Sequence, residues 1–379
     1  MIYKSLGNTS VEIPAIGQGC MGLGGELSEV SGNDAEYVET LRLGCELGMT
    51  LIDTAEAYGA GRSEELVGTA IRGIRDEVFI ATKFSPENNT YDGVLRAADR
   101  SLRRLQTEYI DLYQVHWPNP TIPIEDTIRA VARLLEERKI RFFGVSNFSV
   151  PEMRAAANAL GEGTLVSNQV EYNLFDRFVE ERMLPYCDST GMTLIAYSPL
   201  DKGRVSDDGK LLSQIAQRYE KTPAQVTLNW ITHQPRVVAI PKSARLEHLR
   251  ENAAATDFSM TDEEYRLIGE TYSGKPSLIP VDEISVSVHG EGNRKVYQTL
   301  EQALRNDLNF VPSPRDLAAD ILKGEPIKPV RLVLARDTNH KYDLIEGRIR
   351  YWGWVIAHSG KRPVPALIRR STSESHVKS

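Results

Sequence analysis

Two hydrophobic rhythms alternate along most of this chain. Short apolar runs of strand type occur at IGQGCM (16–21), TLIDTA (50–55), VFIATKF (78–84), IDLYQVH (110–116), RFFGVSN (141–147), SNQVEYN (167–173), TLIAYSP (193–199) and VVAIPKS (237–243). Between them apolar positions recur three and four apart, as in AEYVETLRLGCELG, SEELVGTAIRG, VLRAADRSLRRL, EDTIRAVARLLEER, PEMRAAANAL, VEERMLPYCDSTG and the pair LLSQIAQRYE and PAQVTLNWITH; LEHLRENAAA follows the eighth run. Short buried runs read as strands and the wider spacing as amphipathic helices. Eight such strands alternating with helices predict an α/β fold, a parallel (β/α)8 TIM barrel. An open doubly wound sheet fits less well. The glycine-rich GQGCMGLGG precedes no helix of the kind its phosphate fingerprint needs. Ahead of the barrel, YKSLGNTSVEIPAI predicts a hairpin around Gly7-Asn8. At its end, DFSMTDEEYRLIG predicts a helix with Thr261 as N-cap and Glu264 completing a capping box.

After SGKPSLIP, which is small, polar and proline-containing, the rhythm changes. IPVDEISVSV reads as a strand, RKVYQTLEQALRND as a helix, and SPRDLAADILKG as a helix stopped by Gly324. KPVRLVLARD and HKYDLIEG read as two strands across a turn near Thr338-Asn339-His340. RIRYWGWVIAHSG then reads as a helix and VPALIRR as a last strand. The expected organisation is a barrel over 1–273, a linker over 274–279, a small α+β domain over 280–370 and a disordered polar tail over 371–379. Charge follows the same division. Residues 1–279 carry 29 Lys+Arg against 40 Asp+Glu, and residues 280–379 carry 16 against 12. The surplus of four positive charges is too small to argue for nucleic-acid binding by itself. No apolar run approaches the roughly 20 residues of a membrane span, and the N-terminus lacks a signal-peptide pattern. Cys20, Cys45 and Cys187 are too few and scattered for a disulfide framework or a zinc site. A reduced, cytoplasmic protein is expected.

The candidate chemistry sits where strand runs end. Asp53 and Tyr58 lie at and just beyond the end of one run, Lys83 at the end of the next, and His116 at the end of the third. In a parallel barrel those ends share one rim, where catalytic side chains gather. A free phenol, with its pKa of about 10, is a poor acid at neutral pH. A nearby ammonium favours phenolate and lowers that pKa, an aspartate anchors the ammonium, and an imidazole can orient a carbonyl oxygen beside the phenol. The set suits protonation of a developing alkoxide. No metal cluster accompanies it, and hydride from a nicotinamide is the natural external attacker. Taken singly, Asp53 also reads as a helix cap, Lys83 as a surface charge, His116 as a satisfied buried residue and Tyr197 as core packing. Four side chains at adjacent strand ends argue together for the site.

In order and spacing, residues 1 to about 273 resemble the aldo-keto reductase superfamily. IDTAEAYG, ATKF and DLYQVHWP look like that family's catalytic tetrad, Asp53, Tyr58, Lys83 and His116. The resemblance implies that Tyr58 is the general acid, tuned by Lys83 and Asp53, while His116 positions the substrate. GVSNF, SNQVEYN and AYSPL resemble its nicotinamide-binding segments. They imply that Ser146, Asn147 and Gln169 hold the carboxamide and Tyr197 stacks under the ring, with Ser198 and Leu200 also at the cofactor. Ser146 and Asn147 also stand where they could cap the helix beginning near Pro151. IPKSARLEHLREN resembles the adenosine-phosphate loop, which places Lys242, Ser243, Arg245 and His248 near a 2′-phosphate and Glu251 and Asn252 near adenine. NADP is therefore the implied cofactor. His248 stands where the family often has a second arginine, which leaves NAD open. The implied substrate is a small carbonyl compound or alcohol, and Lys202 and Arg204 in DKGRVSDDGK stand available to an anionic one.

ILKGEPIKPVRL and YDLIEGRIRYWGWVIAHSGKRPVPALI resemble the ParB/sulfiredoxin-like superfamily. There a strand-to-helix turn with Gly347, Arg348 and Arg350 would hold phosphate, by its free amides and guanidinium groups, and so a nucleotide. Arg348 and Ile349 occupy the place where sulfiredoxin needs a cysteine, and no helix-turn-helix follows, which argues against both sulfiredoxin chemistry and DNA binding. Relatives that phosphorylate a free amino acid use a glutamate near the start of this domain. Glu291 in VHGEGN is the candidate acid/base, and equally reads as a loop residue; Arg348 and Arg350 equally read as surface charges. The alternative function is a small-molecule kinase or nucleotide-binding protein with the barrel as scaffold.

Overall fold

The computed structural model describes residues 1–25, 28–30, 32–161, 163–206, 210–272, 274–286, 296–335 and 340–369. Glu291, the turn residues Thr338 and Asn339, the segment 371–379 and the side chain of Lys202 lie outside the described residues. The chain separates into two compact units, Met1–Ser273 and Gly274–Ser379.

In the first unit β1 (Tyr3–Ser5) and β2 (Glu12–Pro14) form an antiparallel hairpin. The eight strands that follow are β3 (Gln18–Gly19), β4 (Leu51–Asp53), β5 (Phe79–Phe84), β6 (Ile110–Val115), β7 (Ile140–Ser146), β8 (Leu165–Glu171), β9 (Thr193–Tyr197) and β10 (Val237–Ala239). Each pairs in parallel with its sequence neighbour. A parallel bridge between Ile16 and Ala239 joins the first strand to the last, with Gly17 N donating to Ala239 O at 2.8 Å. The sheet therefore curls into the (β/α)8 barrel expected from the alternation. Inside it, Leu51, Phe79, Leu112, Val166, Ile195 and Val238 pack against Leu6 and Ile13 of the hairpin. The hairpin thus contributes to the lumen's apolar filling, where each fully buried large side chain is worth about 1.5–3 kcal/mol.

The helix Tyr91–Leu105 shows how the outer layer is specified. Thr90 accepts a hydrogen bond from Gly93 N at its start, and Gln106 ends it in the left-handed region with φ 54°. Val94, Ala97, Ala98, Ser101 and Leu105, three and four apart, are its buried stripe. Thr261 caps Asp262–Thr271 in a capping box with Glu264, as the sequence predicts. The cap of Val150–Leu160 is Ser149, paired with Glu152. Ser146 and Asn147 do not cap that helix, because they still belong to the end of β7 and the turn beyond it.

The second unit is a five-stranded sheet in the order β11 (Ser277–Ile279), β15 (Val364–Arg369), β13 (Val330–Leu334), β14 (Tyr342–Glu346), β12 (Ile284–Ser285). Helices Leu300–Arg305, Pro314–Leu322 and Arg348–Ala357 accompany it. Tyr297, Trp352, Leu332, Leu344, Val364 and Ala366 are among its buried core, and Trp352 Nε1 donates to Tyr297 O at 2.9 Å. Ser277–Ile279, read from sequence as linker, is an edge strand pairing antiparallel with β15. Its backbone groups find a ladder there, which the flanking Lys275-Pro276 punctuation concealed.

Candidate active site

Asp53 is the last residue of β4, Lys83 lies one residue from the end of β5, and His116 directly follows β6. Tyr58 opens a short 3-10 turn after β4. The barrel register therefore carries all four to one rim. Lys83 Nζ lies 2.8 Å from Asp53 Oδ2 and donates to Thr54 O at 2.8 Å and to Tyr58 Oη at 3.4 Å. The His116 ring meets Tyr58 edge-on, with centroids 5.6 Å apart. Lys83 is fully buried, Asp53 is 2 % exposed and Tyr58 8 %. The readings of Lys83 as a surface charge and of Asp53 as a helix cap are corrected by this burial and by the strand position of Asp53.

Electrostatics here are governed by loss of water. Burial pushes the Asp53 carboxyl up, opposed chiefly by Lys83. Burial pulls Lys83 down, but Asp53 and Tyr58 outweigh it and hold the ammonium above its ordinary range. The two charges therefore sustain each other. Burial also pushes the Tyr58 phenol up, and the opposing pull of Lys83 does not overcome it. This corrects the expectation of a lowered phenol pKa, because desolvation disfavours a second anion beside Asp53. The phenol is accordingly held protonated, as a donor. Burial foremost, and then Lys83, brings the His116 imidazole down to about 3. It is neutral at ordinary pH, and one ring N–H can donate.

The residues expected at a nicotinamide lie beside these four and are joined to them. Gln169 Nε2 donates to Asp53 Oδ1 at 2.7 Å. Ser146 Oγ donates to Gln169 O at 2.9 Å, and Asn147 Nδ2 donates to Ser146 Oγ at 3.0 Å and to His116 O at 3.1 Å. Tyr197 Oη donates to Asn147 Oδ1 at 3.0 Å. A continuous chain of polar contacts thus runs from Tyr197 through Asn147, Ser146 and Gln169 to Asp53, Lys83 and Tyr58. Asn147 and Ser198 hold positive φ, 62° and 49°, at the ends of β7 and β9. Such backbone costs on the order of 1 kcal/mol and clusters at functional turns. Leu200 follows two residues later and is packed against the outer core.

Lys242, Arg245 and His248 are exposed beyond β10, and Ser243 is half-buried. Ser243 Oγ donates to Arg245 O at 2.8 Å and accepts from Arg245 N at 3.1 Å, which shapes the turn into the helix Leu246–Ala253. Glu251 and Asn252 lie on that helix, Asn252 buried. The Lys242 ammonium lies across the turn at Gly22, where an added Cβ would sit 2.7 Å from Nζ. This cationic cluster at a helix start suits a phosphate. Arg204, read as available to an anionic substrate, instead lies over the Phe175 ring at 4.1 Å and 3.5 Å from Asp201 Oδ2.

In the second unit, Gly347 turns β14 into the helix Arg348–Ala357 with φ 90°. Arg348 donates to Ile345 O and Leu344 O, at 2.9 and 3.0 Å. Arg350 donates to Lys328 O and Pro329 O, at 2.9 and 3.0 Å, and lies 3.6 Å from Glu346. The structure brings these three residues together, and both guanidinium groups hold backbone carbonyls rather than standing as surface charges.

Two residues escaped the sequence reading. Gln114 points into the lumen from β6, and its place two residues before His116 puts both on one face of the strand. Trp117 is 49 % exposed beside His116. A groove lined by Glu108, Tyr109, Glu137, Arg138 and Arg141 lies at the starts of β6 and β7, the opposite end of these strands, and holds none of the site residues. Among the described residues no group of three or more His, Cys, Asp or Glu could hold a metal, and no helix is long and apolar enough to cross a membrane.

Residues 15–273 match the Aldo/keto reductase family. The chain is similar to the methylglyoxal reductase YeaE of Escherichia coli, 37 % identical over 275 residues that make up 71 % of this chain and 95 % of that protein. It is similar to the glyoxal reductase of Bacillus subtilis, 38 % identical over 61 % of this chain and 82 % of that protein. An aldo-keto reductase structure from Klebsiella pneumoniae in complex with NADP and acetate covers 71 % of this chain and 95 % of its own, with 36 % identity and a TM-score of 0.66. With that family matched across the whole barrel, the chain belongs to the aldo/keto reductase family.

Proposed function

We propose that the barrel reduces a small aldehyde or ketone with NADPH. The observation that carries this reading is the Asp53–Lys83–Tyr58 contact chain, with neutral His116 beside the phenol. When bound, the cofactor supplies hydride to the carbonyl carbon. His116 donates a hydrogen bond to the carbonyl oxygen and fixes it beside Tyr58. Tyr58 gives its proton to that oxygen as the C=O electron pair moves onto it, and the adjacent ammonium of Lys83 stabilises the phenolate left behind. Solvent restores the phenol proton. In the reverse direction Tyr58 takes the hydroxyl proton.

The residues fit the cofactor. Ser146, Asn147 and Gln169 present amide and hydroxyl groups for a carboxamide, and Tyr197 presents a ring. Their partners include one another, Asp53 and the His116 carbonyl, so binding would exchange contacts already arranged at the rim. Lys242, Ser243 and Arg245 suit a 2′-phosphate, with His248, Glu251 and Asn252 toward the adenosine. Ser198 and Leu200 line the turn after β9. The names of the two bacterial relatives suggest 2-oxoaldehydes and dialdehydes as substrates. Titration with NADPH should give saturable binding weakened by Lys242→Ala, and methylglyoxal should be reduced. Tyr58→Phe should lose reduction by at least about 100-fold while still binding cofactor. Full turnover by that variant would overturn the assignment.

For the domain over 280–370 we propose a ParB/sulfiredoxin-like fold that binds phosphate or a nucleotide at the turn of Gly347, Arg348 and Arg350. The glycine-initiated strand-to-helix turn supports this reading. A ligand would have to compete for guanidinium groups that now hold carbonyls. A rise in Tm with ADP, ATP or CTP, lost in Arg350→Ala, is the expected result. No shift with any of the three argues for a docking role.

A further inference from the structure

The lumen beneath the rim holds polar groups that the reduction chemistry leaves unused. Gln114 is fully buried on β6, in register with Lys83 on β5 and with Gly144 on β7. Ser167, also fully buried, pairs with Gly144 from β8. A Cβ on residue 144 would meet Ser167 Oγ at 2.4 Å and Gln114 Cγ at 3.3 Å, so the glycine is what lets these two polar side chains flank one spot in the lumen. Gln114 Oε1 and Ser167 Oγ have no hydrogen-bond partner among the described residues, and Gln114 Nε2 faces Asp53 without completing a bond of normal geometry. Left dry in a closed interior such groups would together cost several kcal/mol, since each buried unsatisfied group costs about 1–3 kcal/mol. One water with two to four polar partners is the ordinary remedy.

We propose that Gln114 and Ser167 hold a buried water beneath the Asp53–Lys83 pair, and that Gln114 is a positioning residue for that pair. Gln114 also faces Asp53 and, after Lys83 and Gln169, favours its charged form. Asp53 needs such support because burial works against its charge. The amide and its water keep the carboxylate ionised, the carboxylate keeps Lys83 an ammonium, and the ammonium makes the Tyr58 phenolate accessible. The effect falls on proton transfer and leaves cofactor affinity alone. It rests on the reading of Tyr58 as the acid and base of a nicotinamide-linked reaction.

The test is the pH profile of alcohol oxidation by the full chain with NADP, where activity rises as Tyr58 gives up its proton. Gln114→Met should move the midpoint of that rise upward by about one pH unit, a roughly tenfold loss of kcat below the midpoint. Its NADP Kd should stay within about twofold of wild type. Ser167→Ala should move the midpoint the same way by less, and Gln114→Asn, which keeps an amide in the lumen, should restore part of the shift. An unmoved midpoint in both Gln114→Met and Ser167→Ala overturns the inference. A weakened Kd without a moved midpoint in Gln114→Met also overturns it, by showing a packing role. If Gln114→Met does not fold, Ser167→Ala alone decides, and its unmoved midpoint overturns the inference. Absence of NADP-linked turnover in the wild type would instead defeat the functional reading on which it rests.

Discussion

Two buried carboxylates of the barrel, on strands separated by β5, answer the same physical problem in opposite ways. Asp111, near the start of β6, is fully buried. One oxygen accepts from Ile80 N at 2.9 Å and Arg75 Nη2 at 2.8 Å, and the other lies 2.6 Å from Arg141 Nη1. Besides the Ile80 amide its partners are two arginines that reach solvent, so the charge is met by planar, permanently ionised groups. Asp53, at the end of β4, is balanced by a single fully buried lysine and two neutral amides. Asp111 is held by groups that lie at the strand starts, away from the rim. Asp53 sits beside a phenol that, in the function proposed here, exchanges a proton, at the rim where a barrel's chemistry gathers.

Asp53→Asn keeps shape but removes the counter-charge of Lys83. Carbonyl reduction should fall by about 100- to 10,000-fold, and the buried ammonium left without its counter-charge should also lower the chemical-denaturation midpoint. A variant that unfolds readily but turns over normally would reverse the roles assigned here. Asp111→Ala leaves Ile80 N and two guanidinium groups without their acceptor. It should cost about 3 kcal/mol in urea unfolding while the folded fraction keeps wild-type kcat. Loss of kcat in the folded fraction would tie the floor to the rim.

The smallest effect sharpens the electrostatics. His116 has a folded pKa of about 3, well below its ordinary value near 6.5. Between those values the unfolded chain binds the proton and the folded one does not. Stability is therefore fully present above about pH 6.5 and is lost as pH falls toward 3, by at most about 1.4 kcal/mol per unit. His116→Asn should flatten that slope between pH 6.5 and 5 relative to wild type. Equal slopes would show that the imidazole stays solvated.

The parts legible in the sequence were those written in local pattern. Buried parallel strands appear as unbroken apolar runs, so β5, β6 and β9 could be placed within a residue or two. Asp53, Lys83 and His116 were legible because each stands at or near the end of such a run, and Tyr58 because it follows one. What escaped depends on contacts between distant segments. The Arg75–Asp111–Arg141 cluster joins three stretches whose charges each look like surface. Gln114 reads as one polar residue in a strand until the lumen closes around it. The upward push on Tyr58 follows from excluded water, which spacing does not record. Ser277–Ile279 has too few residues to show a period, and only its partner β15 makes it a strand.

That last pairing has a consequence for the order of events during synthesis. Among the described residues of the second unit, the first strand to emerge pairs only with the last, and the strand between β11 and β13 in the sheet is again the last. The pairing of β11 with β15 must close a loop across the whole unit, a slow step by topology, whereas β13 and β14 pair locally. The barrel closes its own ring with Val237–Ala239 and can complete it while the later unit is still emerging. Ribosome-bound chains halted before Val364 should therefore carry a protease-resistant barrel followed by a protease-sensitive remainder, with protection of the remainder arriving all at once when its final strand is added.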